Sequence, residues 1–321
     1  MKAILIQDDN SLLWTDVPDP IPADDEVLID IHACALNRAD LLQRAGNYPP
    51  PPGCPEWMGL EVAGVIEYVG PAAVNFGLKV GDEVCALLGG GGYAEKVAVN
   101  AGMCMPIPKG FSMAQATAIP EVFATAYLNL IIEGGLKKGE RVFIQAGASG
   151  LGLAAIQMAK HYGAEVMTTV SSDRKAKAVL EYGADIVINR KTENIGEYLD
   201  RYPTDLVLDC VGGPDLGPNF GKLARGGRWI MLATLGGTET VLPLRELLSR
   251  GIRLIGSTLR SRHPSVKVQI LRALRENFWP GFESGEVKPV IYKILPITEA
   301  EEAHRIMRSN ENIGKIILTV K

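Results

Sequence analysis

Six short apolar segments alternate with helical stretches in the middle of the chain, and this alternation restricts the fold more than any other feature. The segments cover residues 141–145, 165–170, 185–188, 205–209, 228–232 and 253–255. Continuous Val, Ile and Leu runs are typical of strands buried on both faces, and repeated strand–helix units require parallel strands with right-handed crossovers. The pattern therefore predicts an α/β domain with a doubly wound parallel sheet over residues 121–262.

The segment that joins the first strand to the first helix is rich in glycine. Gly147 and Gly152 fit the first and last positions of G-x-G-x-x-G, the Rossmann pattern in which backbone N–H groups and a helix N-terminus bind a dinucleotide pyrophosphate. Ser149 stands at the middle position, where it either crowds the phosphates or contributes its hydroxyl. We predict cofactor contacts from Gly147, Ser149, Gly150, Leu151 and Gly152. The alternative is a tight turn that binds nothing.

The end of the second predicted strand indicates which dinucleotide binds. NAD-selective domains carry an acidic residue about 20 positions beyond the glycines, and this acid contacts the ribose hydroxyl. Here the strand ends in Ser171 and Ser172, while Lys175 and Arg190 supply positive charge for a 2′-phosphate. The sequence therefore favours NADPH over NADH. Two alternatives stay open: Asp173 contacts the ribose, or the basic side chains only form a solvated helix turn.

The flanking regions differ from the middle of the chain. Residues 1–120 contain short β segments broken by glycine and proline, and residues 263–321 contain mixed elements. Because the α/β domain is inserted between them, we expect both chain ends to form one β-rich domain. Tyr48 precedes four consecutive prolines, 49–52, and such a stiff, exposed loop is suited to presenting a functional side chain.

Charge and cysteine content exclude several classes of function. With 33 Lys and Arg against 37 Asp and Glu, the net charge of −4 gives no general attraction to nucleic acid or anionic membranes. The five cysteines are scattered without a C-x-x-C pair, which argues against a disulfide framework or a cysteine-bound zinc ion. No apolar leader or membrane span is apparent, so we expect a cytoplasmic protein with no membrane or nucleic-acid partner.

Several short motifs occur in an order that is similar to a known family. The motifs are Asn-Arg-Ala-Asp at 37–40, Gln-Arg-x-Gly-x-Tyr-Pro at 43–49, Pro-Pro-Gly at 51–53 and Gly-Leu-Glu-x-x-Gly at 59–64. Together they resemble the quinone oxidoreductases of the medium-chain dehydrogenase/reductase superfamily. Leu-Arg-Ser-Arg at 259–262 and Asn-Ile-Gly-Lys at 312–315 resemble most the p53-inducible quinone oxidoreductase branch.

The resemblance covers nearly the whole chain and implies a domain plan. A GroES-like β-rich catalytic domain would comprise residues 1–120 and 263–321, with the Rossmann domain, residues 121–262, inserted. The family also suggests a homodimer formed through the Rossmann sheets. Thr125, Ala233 and Thr234 correspond to places where the superfamily contacts the nicotinamide, and Asn312 and Lys315 are expected to close over the cofactor.

Zinc chemistry is not expected from this comparison of residues. Zinc alcohol dehydrogenases of the superfamily carry Cys at the position of Asn37, and His at the position of Leu60 within a Gly-His-Glu motif. Because Asn and Leu replace these ligands, the resemblance implies a zinc-free reductase with no metal site.

These observations predict an NADPH-dependent quinone reductase. Hydride would pass from nicotinamide C4 to a quinone held by Tyr48, while Asn37 and Ser149 orient the quinone or carboxamide oxygens. Each residue also has a structural explanation: Tyr48 packs on prolines, Asn37 caps a helix, and Ser149 closes the turn. The alternative functions are an NADPH-dependent enal or enone reductase and a non-enzymatic, crystallin-like NADPH-binding protein.

Overall fold

The chain divides at two points into a discontinuous unit and an inserted unit. The computed structural model describes all residues, Met1–Lys321. The first unit comprises Met1–Ala124 and Arg260–Lys321, and the second comprises Thr125–Leu259.

The strands and helices are numbered in chain order. The strands are β1 (Lys2–Ile6), β2 (Leu12–Asp16), β3 (Glu26–Ala35), β4 (Glu61–Val69), β5 (Glu83–Leu87), β6 (Lys96–Asn100), β7 (Cys104–Pro106), β8 (Arg141–Ile144), β9 (Glu165–Val170), β10 (Ile186–Asn189), β11 (Leu206–Asp209), β12 (Arg228–Met231), β13 (Arg253–Gly256), β14 (Ile291–Pro296) and β15 (Lys315–Thr319). The helices are α1 (Arg38–Arg44), α2 (Met113–Ala116), α3 (Pro120–Tyr127), α4 (Gly150–His161), α5 (Asp173–Glu181), α6 (Ile195–Arg201), α7 (Leu216–Phe220), α8 (Leu244–Arg250), α9 (Pro264–Ser284) and α10 (Ala300–Arg308). No helix combines the length and the apolar character that a membrane span requires.

The first unit is built on a seven-stranded sheet. Its strand order is β14-β15-β3-β4-β5-β7, with β6 paired to β3, and β1 pairs with β2 separately. The strands are antiparallel except for the parallel pair β14–β15. Val27, Ile29 and Ile31 alternate along β3 as fully buried residues, as expected where one sheet face covers a core. The pairing of β15 with β3 joins the two chain ends in one unit, which confirms the predicted GroES-like β-rich domain.

The second unit is a six-stranded parallel sheet in the order β10-β9-β8-β11-β12-β13. This order is the doubly wound Rossmann arrangement, and all six strands predicted from the apolar segments are present. Phe143, Met167, Val207 and Trp229 form part of its buried core. Because parallel strands place their carboxyl ends at one edge, the segments that follow β8, β9, β10 and β12 lie along that edge.

Candidate cofactor and substrate sites

The glycine loop leads from β8 into α4, as the sequence predicts. Ser149 is the N-cap of α4, and its Oγ accepts a hydrogen bond from the Gly152 N–H at 3.0 Å. The hydroxyl hydrogen therefore stays available to a ligand. A Cβ on Gly147 would lie 2.1 Å from Thr168 Oγ1, and one on Gly152 would lie 2.5 Å from the Ala146 carbonyl oxygen. Glycine is thus required for the loop to pack against β9 and against itself.

Serine and arginine meet at the ends of β9 and β10. Ser171 and Ser172 follow β9, and Ser172 caps α5 by accepting a hydrogen bond from the Lys175 N–H at 3.4 Å. The Arg190 N–H donates to the Val170 carbonyl oxygen at 3.0 Å, which places Arg190 beside the end of β9. The structure therefore brings these predicted residues together at the edge that carries the glycine loop.

The other residues predicted to bind the cofactor in this unit lie near strand ends or in α3. Ala233 and Thr234 follow β12 at the same edge, with Ala233 half-buried and Thr234 exposed. Thr125 lies in α3, where its carbonyl oxygen accepts a hydrogen bond from Asn129 Nδ2 at 2.7 Å. Asp173 is the first residue of α5, beyond the cap. A glycine cradle and a helix N-terminus fit the pyrophosphate of a dinucleotide.

A buried ion pair dominates the polar core of the first unit. The ammonium group of Lys315 lies 2.6 Å from Glu61 Oε1, 2.7 Å from Asn37 Oδ1 and 2.6 Å from the Leu36 carbonyl oxygen. The Lys315 side chain is 4% exposed and that of Glu61 is fully buried. Two hydrogen bonds and one ion pair thus direct the buried Lys315 ammonium group toward other protein groups.

The same arrangement engages Asn37 and Asn312. Asn37 Nδ2 donates to Glu61 Oε1 at 3.0 Å and to the Ala35 carbonyl oxygen at 3.3 Å, and Asn37 is the N-cap of α1. Both N–H groups of its amide therefore have partners within the protein, and its oxygen accepts a hydrogen bond from Lys315. Asn312 Nδ2 donates to the Gly314 carbonyl oxygen at 2.7 Å, so this side chain stabilises a turn before β15.

The donor set around Asn37 does not fit a zinc ion. Leu60 is 1% exposed and offers no ligand atom, and the adjacent Glu61 carboxylate is paired with a lysine ammonium group. Structural and catalytic zinc sites instead use three or four Cys, His or carboxylate ligands. The residues present here form a charge-balanced hydrogen-bond cluster.

A second buried network supports the start of α1. The Asp40 carboxylate accepts hydrogen bonds from the Asn37 N–H at 2.7 Å, the Gly59 N–H at 3.2 Å and the Tyr93 hydroxyl at 3.2 Å. Burial raises the pKa of Asp40 to about 6. His304 Nε2 lies 3.4 Å from the Tyr93 hydroxyl, and burial lowers the pKa of His304 to about 3, so this histidine is neutral.

Glu121 is a titratable residue of this unit that sequence reasoning missed. Its N–H donates to Glu61 Oε2 at 2.8 Å. Burial, followed by repulsion from the Glu61 carboxylate, raises the pKa of Glu121 to about 8. The carboxyl group is therefore protonated at neutral pH. No local pattern signals this, because Glu61 reaches Glu121 only through the tertiary fold.

Tyr48 lies half-buried on the proline-rich segment after α1. Its ring centroid is 5.0 Å from the Arg260 guanidinium carbon. Burial raises the pKa of Tyr48, and the nearby guanidinium charge opposes this rise. Tyr48 is thus a neutral phenol at physiological pH and can donate a hydrogen bond to a carbonyl oxygen.

Comparison with known proteins agrees with both units. Residues 23–109 match the family model described as alcohol dehydrogenase GroES-like domain, and residues 150–274 match the model described as zinc-binding dehydrogenase. Human quinone oxidoreductase is 34% identical over 312 residues, which cover 95% of this chain and 92% of that protein.

Solved structures show the same architecture over the full length. The quinone oxidoreductase of Thermus thermophilus, whose structure was also solved in complex with NADPH, superposes with a TM-score of 0.84 at 30% identity and covers 100% of both chains. The CurK enoyl reductase superposes with a TM-score of 0.85 at 25% identity, covering 99% of this chain and 98% of its own. The second unit is therefore an NAD(P)-binding Rossmann domain, and the chain is an oxidoreductase that belongs to the quinone oxidoreductase family of the medium-chain dehydrogenase/reductases.

Proposed function

We propose that the protein is an NADPH-dependent quinone reductase that works without zinc. In the overall reaction a quinone, NADPH and a proton give a hydroquinone and NADP⁺. The bound cofactor supplies the hydride from nicotinamide C4. The observation that carries the proposal is the glycine cradle beside Ser171 and Arg190, in a chain that is 34% identical to human quinone oxidoreductase.

The Rossmann unit accounts for the choice of cofactor. Gly147 and the N-terminus of α4 would receive the pyrophosphate, with the Ser149 hydroxyl as an added donor. Ser171, Arg190 and Lys175 would hold the 2′-phosphate, since hydroxyl and guanidinium groups bind phosphate well. Ala233, Thr234 and Thr125 remain our candidates for contacts with the nicotinamide.

The β-rich unit accounts for zinc-free chemistry. In a zinc enzyme the ligands at this place must be free to bind the metal ion. Here the Glu61 carboxylate is paired with the Lys315 ammonium group, so a Lewis acid plays no part in the mechanism that we propose. A quinone is electron-poor and accepts hydride without strong polarisation. Tyr48 needs only to orient the ring and donate a hydrogen bond to the oxygen that gains negative charge.

The test is a comparison of NADPH oxidation with an ortho-quinone and with an enal at equal cofactor concentration. We expect faster turnover of the quinone, and we expect Tyr48→Phe to reduce kcat because the hydrogen-bond donor is lost. Tyr68→Phe, at an exposed tyrosine in β4, is the matched control. Protein that binds NADPH but oxidises it with neither substrate would be a non-enzymatic, crystallin-like binding protein, and the proposal would be wrong.

Reduction of an activated C=C bond is the second candidate. It is favoured by the likeness to the CurK enoyl reductase and by the presence of a neutral phenol at Tyr48, which could protonate the carbon next to the one that receives hydride. Product analysis separates the two functions. A saturated aldehyde formed from an enal at a rate above that of quinone reduction would support this second function.

We also propose a homodimer in a reducing compartment such as the cytoplasm. Strand β13 ends the Rossmann sheet, and Val241, Leu244 and Leu248, in or just before the helix that precedes this strand, are 88%, 65% and 78% exposed. Apolar side chains and an open strand edge favour pairing with a second copy. The five cysteines form no disulfide. Light scattering should give a dimer mass for the wild type and a monomer mass for Leu248→Lys.

A further inference from the structure

Arg260 is almost fully buried and connects three separate segments of the β-rich unit. It is 5% exposed. Its Nε donates to the Gly89 carbonyl oxygen at 2.8 Å, Nη1 donates to the Tyr48 carbonyl oxygen at 3.2 Å, and Nη2 donates to Gln43 Oε1 at 2.7 Å. One planar group thus joins the last turn of α1, the tyrosine segment and the loop after β5.

The segment that carries Tyr48 has little regular structure to fix its position. Residues 46–59 contain no helix or strand, and five of them are prolines, which lack an N–H group. The backbone bonds that hold the segment include those from the N–H groups of Gly46, Asn47 and Cys54 to the carbonyl oxygens of residues shortly before them in the chain. Trp57, Met58 and Gly59 accept backbone hydrogen bonds from the N–H groups of residues 91–93, whereas the backbone bonds of residues 46–54 stay within the segment and α1. The position of the part that carries Tyr48 therefore depends on side chains from other elements.

Arg260 contacts both the backbone and the ring of Tyr48. The guanidinium carbon lies 5.0 Å from the ring centroid, within the range of a cation–π interaction. The oxygen atoms that accept hydrogen bonds from Arg260 belong to neutral groups, and the more distant Asp40 carboxylate adds electrostatic attraction to its charge. Lys267 Nζ donates to the Arg260 carbonyl oxygen at 3.2 Å and fixes the backbone from which the guanidinium extends.

We propose that Arg260 is a positioning residue that sets the place and orientation of the Tyr48 phenol for the substrate. The Arg260 guanidinium group binds the Tyr48 carbonyl oxygen and covers the Tyr48 ring. It therefore restricts both movement of the segment and rotation of the side chain. The proposal rests on the proposed function only in taking Tyr48 as the group that contacts substrate. The order that Arg260 imposes on the segment is a property of the protein alone.

Amide hydrogen exchange tests the order of the segment without any substrate. In Arg260→Gln, exchange at Gly46, Asn47 and Cys54 should become about tenfold faster, which corresponds to about 1.4 kcal/mol. Arg260→Lys should give a similar increase, because an ammonium group cannot bind the carbonyls in a fork. Arg272→Gln, which removes an exposed arginine from α9, is the control and should leave these rates unchanged. Unchanged exchange in both Arg260 variants would overturn the inference.

Kinetics in two backgrounds test whether the effect passes through Tyr48. Arg260→Gln should lower kcat for an ortho-quinone about tenfold in the wild type and less than about twofold in Tyr48→Phe, since coupled residues act non-additively. NADPH affinity, measured by fluorescence titration, should not change. The same tenfold loss in both backgrounds would show a general structural role and would refute positioning. If the wild type reduces no quinone, the proposed function fails, and the exchange data alone decide the role of Arg260.

Discussion

Replacing Lys315 by methionine should strongly destabilise the β-rich unit. The substitution keeps most of the side-chain volume and removes the positive charge that lies 2.6 Å from Glu61 Oε1. Glu61 is fully buried, so its carboxylate cannot recover hydration when its partner is lost. The Leu36 carbonyl oxygen and Asn37 Oδ1 lose the same donor.

The size of the effect follows from what remains around Glu61. Breaking a buried ion pair by removing one partner costs about 3–5 kcal/mol. The carboxylate keeps hydrogen bonds from Asn37 Nδ2 at 3.0 Å and from the Glu121 N–H at 2.8 Å, which places the expected loss at about 3 kcal/mol. Total stabilities are about 5–15 kcal/mol, so this loss is a large fraction of the total. Adding Glu61→Gln should recover about 1 kcal/mol or more, because no buried charge is then left unpaired.

The assay is urea denaturation at neutral pH followed by tryptophan fluorescence. Trp14, Trp57 and Trp279 report on the first unit and Trp229 reports on the second, and single-tryptophan backgrounds separate their signals. Lys96→Met is the matched control, because the Lys96–Glu67 pair is partly exposed and should contribute less than about 1 kcal/mol. A loss below about 1 kcal/mol in Lys315→Met, or further destabilisation by Glu61→Gln, would refute the reasoning.

Three further predictions concern the cofactor site and pH. Arg190→Ala should weaken NADPH binding about tenfold or more and NADH binding little, as measured by fluorescence titration. Lys191→Ala, at an exposed lysine, is the control. Equal losses for both cofactors would show that Arg190 does not contact the 2′-phosphate. Gly147→Ala should lower both stability and NADPH affinity because its Cβ would lie 2.1 Å from Thr168 Oγ1, whereas Gly256→Ala has open space and should affect neither. Glu121→Gln should flatten the pH dependence of stability. The pKa of Glu121 is about 8 in the folded protein against an ordinary value of 4.5, so the folded state binds an extra proton and wild-type stability falls as pH rises through this window. Denaturation midpoints at about pH 5 and about pH 9 should therefore differ less in the variant than in the wild type.

The sequence by itself determined the architecture and the general chemistry. Six apolar segments predicted the six parallel strands, because strands covered by helices on both faces are rich in apolar residues, although β13, at the sheet edge, is largely exposed. The glycine loop at 147–152 and the serines after β9 indicated a dinucleotide site, since those features lie close together along the chain. The family resemblance also implied that two zinc ligands are replaced at positions 37 and 60, because each of these positions lies within a local motif.

Only the tertiary structure decided which polar side chains act together in the β-rich unit. Lys315 lies 278 positions from Asn37 and Arg260 lies 217 positions from Gln43, so no periodicity or spacing links them. The contact between Lys315 and Asn37 arises because β15 pairs with β3, which places the Lys315 strand beside the segment that leads into α1. In the folded protein, Asn37 and Lys315, which we expected to contact ligands, form a hydrogen-bonded pair with each other. The tertiary fold also places Arg260 beside Tyr48. Sequence patterns do not show this contact, because packing and charge compensation act between residues that are neighbours in space.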